Sequence, residues 1–232
     1  KNYTHVKFIK NITNLGITQS FNRAVKYTSG SFLMDLSTDD VFLENCVEDL
    51  LKEFLINPNV SLVFGNANVI DENDNILNSY FLLNKDFTIA DKSILNIDYK
   101  RILEGGVCIC SVSAMFKKEV FDKLGGYDEN LDFEDLDFWI RLSRVNKIKY
   151  LDKILVYKRN VSNSLSYHYY VKSSIDLNKI NLIIFNKAYN LNQNKEEHAA
   201  LLKRVHNFII VNFRIRNYLY VMRAFMLKLK IF

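Results

Sequence analysis

The chain has 232 residues, with 31 Lys and Arg against 26 Asp and Glu, a formal net charge of +5. Hydrophobic residues make up 49% and charged residues 25%, which excludes a disordered chain, a collagen and a disulfide scaffold and leaves room for one large domain or one and a half. The positive charge is uneven: residues 195–232 carry eight basic and two acidic side chains, while the first 194 carry 23 basic and 24 acidic.

In chain order, Val6 to Ile9 reads as a short strand, and Asn14 to Thr28 as a turn into a helix with Ile17, Phe21, Ala24 and Val25 at helical spacing. Gly30 is expected to end that helix in the left-handed region. Ser31 to Leu36 predicts a strand running into an acidic turn, Ser37-Thr38-Asp39-Asp40. Leu43 to Ile56 is an amphipathic helix stopped at Asn57-Pro58. Val60 to Phe64 and Val69 to Ile70 read as strands, Ser79 to Arg101 as a long surface loop, and Gly106 to Phe116 as a strand-like run. Lys117 to Leu124 predicts a short helix closed by Gly125-Gly126, and Glu134 to Val145 a helix with Phe138, Trp139 and Leu142 on one side. Ile148 to Tyr150 and Ile154 to Tyr157 follow as strands, and from about Ser173 the chain reads as helical. Alternating strands and helices over the first 160 residues argue for an α/β sheet with an all-α appendage. With only seven Gly and one Pro, a turn-dense β design is excluded.

Three cysteines, Cys46, Cys108 and Cys110, have no framework spacing and read as buried thiols in a reducing compartment. The opening KNYTHVKFIK lacks the apolar run of a signal peptide, so the cytoplasm is the expected location.

Two acidic constellations carry the chemistry. Asp39 and Asp40 lie just beyond a strand, where open α/β sheets bind ligands. Adjacent carboxylates repel, and a hard cation such as Mg²⁺ or Mn²⁺ relieves that repulsion while bridging to phosphates. Taken alone, capping of the helix near Leu43 is the simpler account. The second constellation is Gly125-Gly126-Tyr127-Asp128-Glu129, then Glu134-Asp135-Leu136-Asp137-Phe138-Trp139. The helix macrodipole stabilises carboxylates in a first turn, but capping does not need all of these.

Together with Asn14-x-Gly16, Asn22, Ala24 and Gly30, and with Arg141-Leu142 closing the second run, the order and separation of these pieces from Asn11 to Arg159 resemble the family 2 glycosyltransferases of GT-A fold. The resemblance implies a GT-A-like, Rossmann-like mixed sheet flanked by helices over residues 1–170 and a C-terminal helical extension over 171–232. It implies Mn²⁺ or Mg²⁺ at Asp39 and Asp40, neutralising the diphosphate of a nucleotide-sugar donor, with a UDP-sugar favoured. Asn22 and Gly16 would line the nucleotide side, Ser37 would contact ribose, and Arg159 or His168 would contact phosphate or metal. Asp135 matches the general base that takes the proton from the acceptor hydroxyl, in a displacement that inverts the anomeric centre, and Glu134 would position the acceptor or tune its neighbour. Ser37 stands where the commonest form of the acidic motif has a further Asp. The chain also begins where the family is already under way, so a longer natural protein is expected.

The function implied is sugar transfer to a glycan or lipid-linked acceptor in bacterial surface polysaccharide synthesis. The competing reading is a non-catalytic GT-A-like module whose tail binds a membrane or partner. In that tail, residues 205–232, the charges interrupt any transmembrane window. A basic amphipathic helix on the inner membrane, with Arg216, Arg223 and Lys230 on one stripe, and a helix packed on the domain both stand at this level. No nucleic-acid reader motif is present, and no nucleic-acid partner is expected.

Overall fold

The computed structural model describes residues 5–106, 108–131, 135–161 and 177–231. Its elements are α1 (Gly16–Val25), β1 (Phe32–Met34), β2 (Val41–Phe42), α2 (Cys46–Ile56), β3 (Val60–Ile70), β4 (Ile76–Ser79), α3 (Tyr99–Glu104), β5 (Met115–Lys117), α4 (Lys118–Lys123), α5 (Asp135–Ser143), β6 (Lys147–Arg159), α6 (Leu177–Leu191), α7 (Lys195–Arg214) and α8 (Tyr218–Ile231). Single 3₁₀ turns cover Lys92–Asn96 and Ser111–Ser113.

Among the described residues the sheet runs β1-β5-β3-β6-β2, with β4 also on β3. The β3–β6 pair is parallel and the others are antiparallel, a mixed sheet flanked by helices as the α/β pattern implies. β3 is buried along most of its length, with strand neighbours on both sides. Gly65 marks the closest approach to β6: a Cβ there would lie 2.6 Å from Leu155 Cδ1 and 2.8 Å from the Lys153 carbonyl. The pairing register shifts at that point.

An aromatic cluster fastens helices to the sheet. Phe116 of β5 lies 5.3 Å from Phe138 and 6.0 Å from Trp139 of α5, and Phe21 of α1 lies 4.9 Å from Tyr127. The C-terminal helices grip this body: Arg204 of α7 donates to the carbonyls of Ile102 and Leu103 at the end of α3.

Several expectations need correction. Residues 6–9 are not a strand; Val6 and Phe8 are exposed and unpaired with the sheet, so their apolar character meets no partner strand. α1 ends at Val25, and Gly30 does not take a positive φ; main-chain bonds from Lys26 and Tyr27 close the helix instead. The two short strands expected over 60–70, and the two over 148–157, are each one long strand, because a bulge bends the β3–β6 ladder without ending it. The run 106–116 supplies only the start of β5, and Cys108, Ile109, Cys110, Val112 and Ala114 fill the core from outside any strand. The loop expected from Ser79 holds α3. The tail is two helices, with Arg216 at the break between them in a left-handed conformation (φ 59°). Arg216 therefore does not share a stripe with Arg223 and Lys230.

Candidate active site

The acidic turn is placed by strand register. Val41 and Phe42 pair antiparallel with Tyr157 and Val156, so the residues just before Val41 lie beside Lys158 and Arg159. Asp40 is buried, and its Oδ1 accepts the backbone N–H of Arg159 at 2.8 Å. The Asp40 N–H closes the turn on the Ser37 carbonyl at 3.2 Å. Burial pushes the Asp40 carboxyl up, against the Arg159 amide, Lys158 and the Arg159 guanidinium, which favour its charge. Neither Asp39 nor Asp40 caps α2, which begins at Cys46 with Asn45 before it. The capping account of this pair is removed by the insertion of β2.

Arg159 donates from Nε to the Asp39 carbonyl at 3.0 Å and from Nη1 to the Asp71 carbonyl at 2.9 Å, and pairs with Asp74 at 2.6 Å. In this arrangement its guanidinium braces two turns. Ser37 is exposed on the acidic turn. His168 and Glu134 lie outside the described residues.

The second constellation is divided by its surroundings. Asp137, 2% exposed, is held between Lys187 of α6 at 2.5 Å and Arg141 at 2.8 Å. Lys187 also reaches Asp128 at 2.8 Å. Burial alone would raise the Asp128 carboxyl, but its hydrogen bonds from Lys187 and Asn130 outweigh that and take it down to about 2. Glu129 accepts from Asn22 Nδ2 at 3.0 Å. Asp135 opens α5 without such an ion pair among the described residues: burial pushes its carboxyl up to about 6, against the Leu136 amide and Lys158, with Asp35 adding to the rise. The sets converge here, since Lys158 acts on both Asp40 and Asp135, and Asp35 follows the end of β1.

Asp35 is the acidic residue that the sequence reading passed over. The signal was its place at the end of the Phe32–Met34 strand, on the same edge as the acidic turn. Burial raises its carboxyl as well.

Asp135 lines a cavity of about 250 Å³ with Tyr80, Cys108, Trp139, Asn181 and Arg204 among its walls. The Trp139 indole N–H in that wall is buried and meets no acceptor among the described residues. Buried donors are nearly always satisfied, by protein, water or ligand.

Asn22 sits elsewhere than at the acidic turn. Its amide donates to the Tyr127 carbonyl at 2.9 Å and accepts the Tyr127 N–H at 3.0 Å, so it pins α1 to the Gly125-Gly126 turn. Gly16 starts α1 at φ 75°, with its N–H on Asn14 Oδ1 at 3.0 Å. The structure thus brings Asp39, Asp40, Arg159 and Asp135 to one region through Lys158, and gives Asn22 a structural contact. All three cysteines are buried and free. Among the described residues, no group of three or more His, Cys, Asp or Glu side chains is arranged to hold a metal.

The profile of the glycosyl transferase family 2 matches residues 1–125. The chain is similar to an uncharacterized glycosyltransferase of Methanocaldococcus jannaschii, 36% identical over 135 residues, which are 58% of this chain and 43% of that protein. An uncharacterized glycosyltransferase of Haemophilus influenzae is 30% identical over 144 residues, 59% of this chain and 44% of that protein. A chondroitin synthase of Escherichia coli is 26% identical over 154 residues, 66% of this chain and 20% of that protein. The chain spans less than half the length of each of these relatives. Among solved structures, S. aureus TarS 1–349 in complex with UDP-GlcNAc aligns with a TM-score of 0.58 at 15% identity, over 81% of this chain and 51% of that one. That likeness is one of fold.

Proposed function

Since the chain belongs to glycosyl transferase family 2, we propose that it moves a sugar from a nucleotide-sugar, a UDP-sugar first among the donors, to a glycan or lipid-linked acceptor, inverting the anomeric centre. The observation that carries this reading is the division of the carboxylates around α5. Among the described residues of this stretch, Asp128 is held near 2 by Lys187 and Asn130, Asp137 is clamped by Lys187 and Arg141, and Asp135 is raised to about 6 beside a cavity. Environments that push neighbouring carboxylates apart are how a fold assigns a base. The acceptor oxygen bonds to the anomeric carbon as the bond to the diphosphate oxygen breaks, and the hydroxyl proton passes to Asp135. Positioning near 3 Å matters more than resting basicity for such a base. The buried Trp139 N–H in the cavity wall supports an acceptor oxygen there.

Asp39 and Asp40 fit a hard divalent cation, Mn²⁺ or Mg²⁺: both offer carboxylate oxygen, and the burial that raises Asp40 is relieved by a positive charge opposite it. When bound, such an ion would neutralise the diphosphate and stabilise the departing nucleoside diphosphate as a Lewis acid. Two carboxylates with phosphate oxygens suffice for this class of ion. The chondroitin synthase among the relatives supports a role in polysaccharide synthesis. In a cytoplasmic enzyme of this kind, contact of residues 205–232 with the inner membrane surface suits a lipid-linked acceptor.

The test is thermal denaturation with UDP, GDP, TDP or CMP, each with and without Mn²⁺. Ligand at a hundred times its dissociation constant stabilises by about 2.7 kcal/mol, a rise of several degrees. The reading expects a metal-dependent rise with one nucleotide that Asp40→Asn removes. No rise with any nucleotide, in this chain or in a longer one containing it, would leave a module without a donor site.

A further inference from the structure

The outer face of α8 contains no charged side chain. At about 100° per residue, Tyr220, Ala224, Leu227 and Ile231 form the buried stripe that packs on α6 and α7. The opposite side is Tyr218, Leu219, Met222, Phe225, Met226 and Leu229, each between 49% and 68% exposed. An exposed apolar patch of this kind marks a protein or membrane contact surface. Val211, Phe213 and Ile215, at the end of α7, are exposed beside the α7–α8 turn.

Charge identifies what covers it. Arg223 and Lys230 are exposed along one edge of the apolar face, Arg214 and Arg216 are exposed at the turn, and residues 198–232 contain no Asp or Glu. A groove of about 550 Å³ between α6 and α8 meets the patch at Met226; Leu182 and Leu227 line it, and Lys179 and Lys187 join Arg223 and Lys230 around it. A second copy of the chain is the poorer occupant, because pairing this face on itself brings basic edges together with no acidic side chain in the segment to offset them.

We propose that α8 and the end of α7 dock on an anionic lipid bilayer, with the outer apolar residues in the acyl boundary and Arg214, Arg216, Arg223 and Lys230 on the headgroup phosphates. The helix lies in the interface and does not cross it: 14 residues span about 21 Å against a hydrocarbon core of about 30 Å. Among the described residues no helix is long and apolar enough to cross a membrane. The inference deepens the membrane contact proposed for residues 205–232 and rests on it, independently of the transfer chemistry.

The experiment is flotation of the chain with vesicles of phosphatidylcholine alone or mixed equally with phosphatidylglycerol, at low and high salt. Binding is expected to the anionic vesicles, at least about tenfold weaker to the neutral ones, and weakened by salt. Met222→Asp with Met226→Asp should abolish it, and Arg223→Glu with Lys230→Glu should weaken it by about tenfold or more. These side chains are exposed, so circular dichroism and the nucleotide-dependent thermal rise should be unchanged in both variants. That separates loss of docking from failure of the glycosyltransferase reading. Equal binding to both vesicles, or binding to neither, would overturn the proposal. So would a dimer in light scattering that Met222→Asp with Met226→Asp dissolves, since a second copy would then be the cover.

Discussion

Asp40 and Arg159 hold one another across 119 positions of sequence. The Arg159 amide donates to Asp40 Oδ1 at 2.8 Å, while Arg159 Nε donates back to the carbonyl of Asp39 at 3.0 Å. The same guanidinium reaches the Asp71 carbonyl and the Asp74 carboxylate. One residue at the end of β6 therefore fixes both the acidic turn and the turn after β3, and the carboxylate proposed for the cation is aimed by a backbone group of the neighbouring strand.

Arg159→Lys should keep the charge and lose the brace, because an ammonium cannot make several directed bonds in one plane. The expected loss is about 1–3 kcal/mol in chemical denaturation, with a smaller Mn²⁺-dependent nucleotide rise than in the parent chain. A variant as stable as the parent, with the full rise, would show that the brace is dispensable.

Asp135→Asn should abolish transfer and yet stabilise the fold at neutral pH. The carboxyl titrates near 6 in the fold against 3.8 ordinarily, so the ionised form is the disfavoured one. Stability is fully present below 3.8 and is lost as pH rises through 6. At pH 7.5 the variant should gain up to about 3 kcal/mol, or several degrees in Tm, and the gain should vanish below about pH 4. In the parent chain, activity should rise through pH 6 as the base ionises. An unchanged Tm at pH 7.5 would contradict the raised carboxyl.

Lys187→Met removes the cation shared by Asp128 and Asp137. The Asp128 carboxyl lies at about 2, below its ordinary 3.8, so its stabilising effect is present above 3.8 and is lost as pH falls through 2. Asp137 keeps Arg141. The expected loss is about 2 kcal/mol at pH 7, shrinking as pH is lowered from 4 towards 2. A loss independent of pH would point to packing of the lysine stem.

Asn22 and Gly126 should couple in a double-mutant cycle. A Cβ at Gly126 would lie 2.8 Å from Asn22 Oδ1, at a residue with φ 75°. Gly126→Ala alone therefore brings a clash and a strained backbone, and Asn22→Ala alone leaves the Tyr127 N–H without its acceptor. The double variant should cost less than the sum of the two by about 0.5–2 kcal/mol, read from urea midpoints. Strict additivity would mean that the contact relaxes freely.

Much of this was legible from local pattern. α2 and α5 lie within three residues of where apolar spacing put them, and the acidic pair falls in a turn beyond a strand. The misreadings have one cause. The run 106–116 is apolar enough for a strand, but only its last residues find a ladder; Cys108, Ile109, Cys110, Val112 and Ala114 are buried without one. The two halves of β3 looked separate because Gly65, Asn66 and Asn68 break the apolar run, yet Gly65 is needed for the approach of β6 and Asn66 satisfies its amide on Phe81.

By itself the sequence determined the α/β class, the family resemblance and which residues carry carboxylates, since these depend on residue type, order and spacing along the chain. It left open how each carboxylate is held. Only the tertiary structure decided that, because the partners are distant in sequence. Lys187 arrives from α6 to hold Asp128 and Asp137, Asn22 from α1 to hold Glu129, and Lys158 from β6 to stand by Asp40 and Asp135. A carboxylate's basicity is set by burial and by the charges packed around it, and those are properties of the assembled fold.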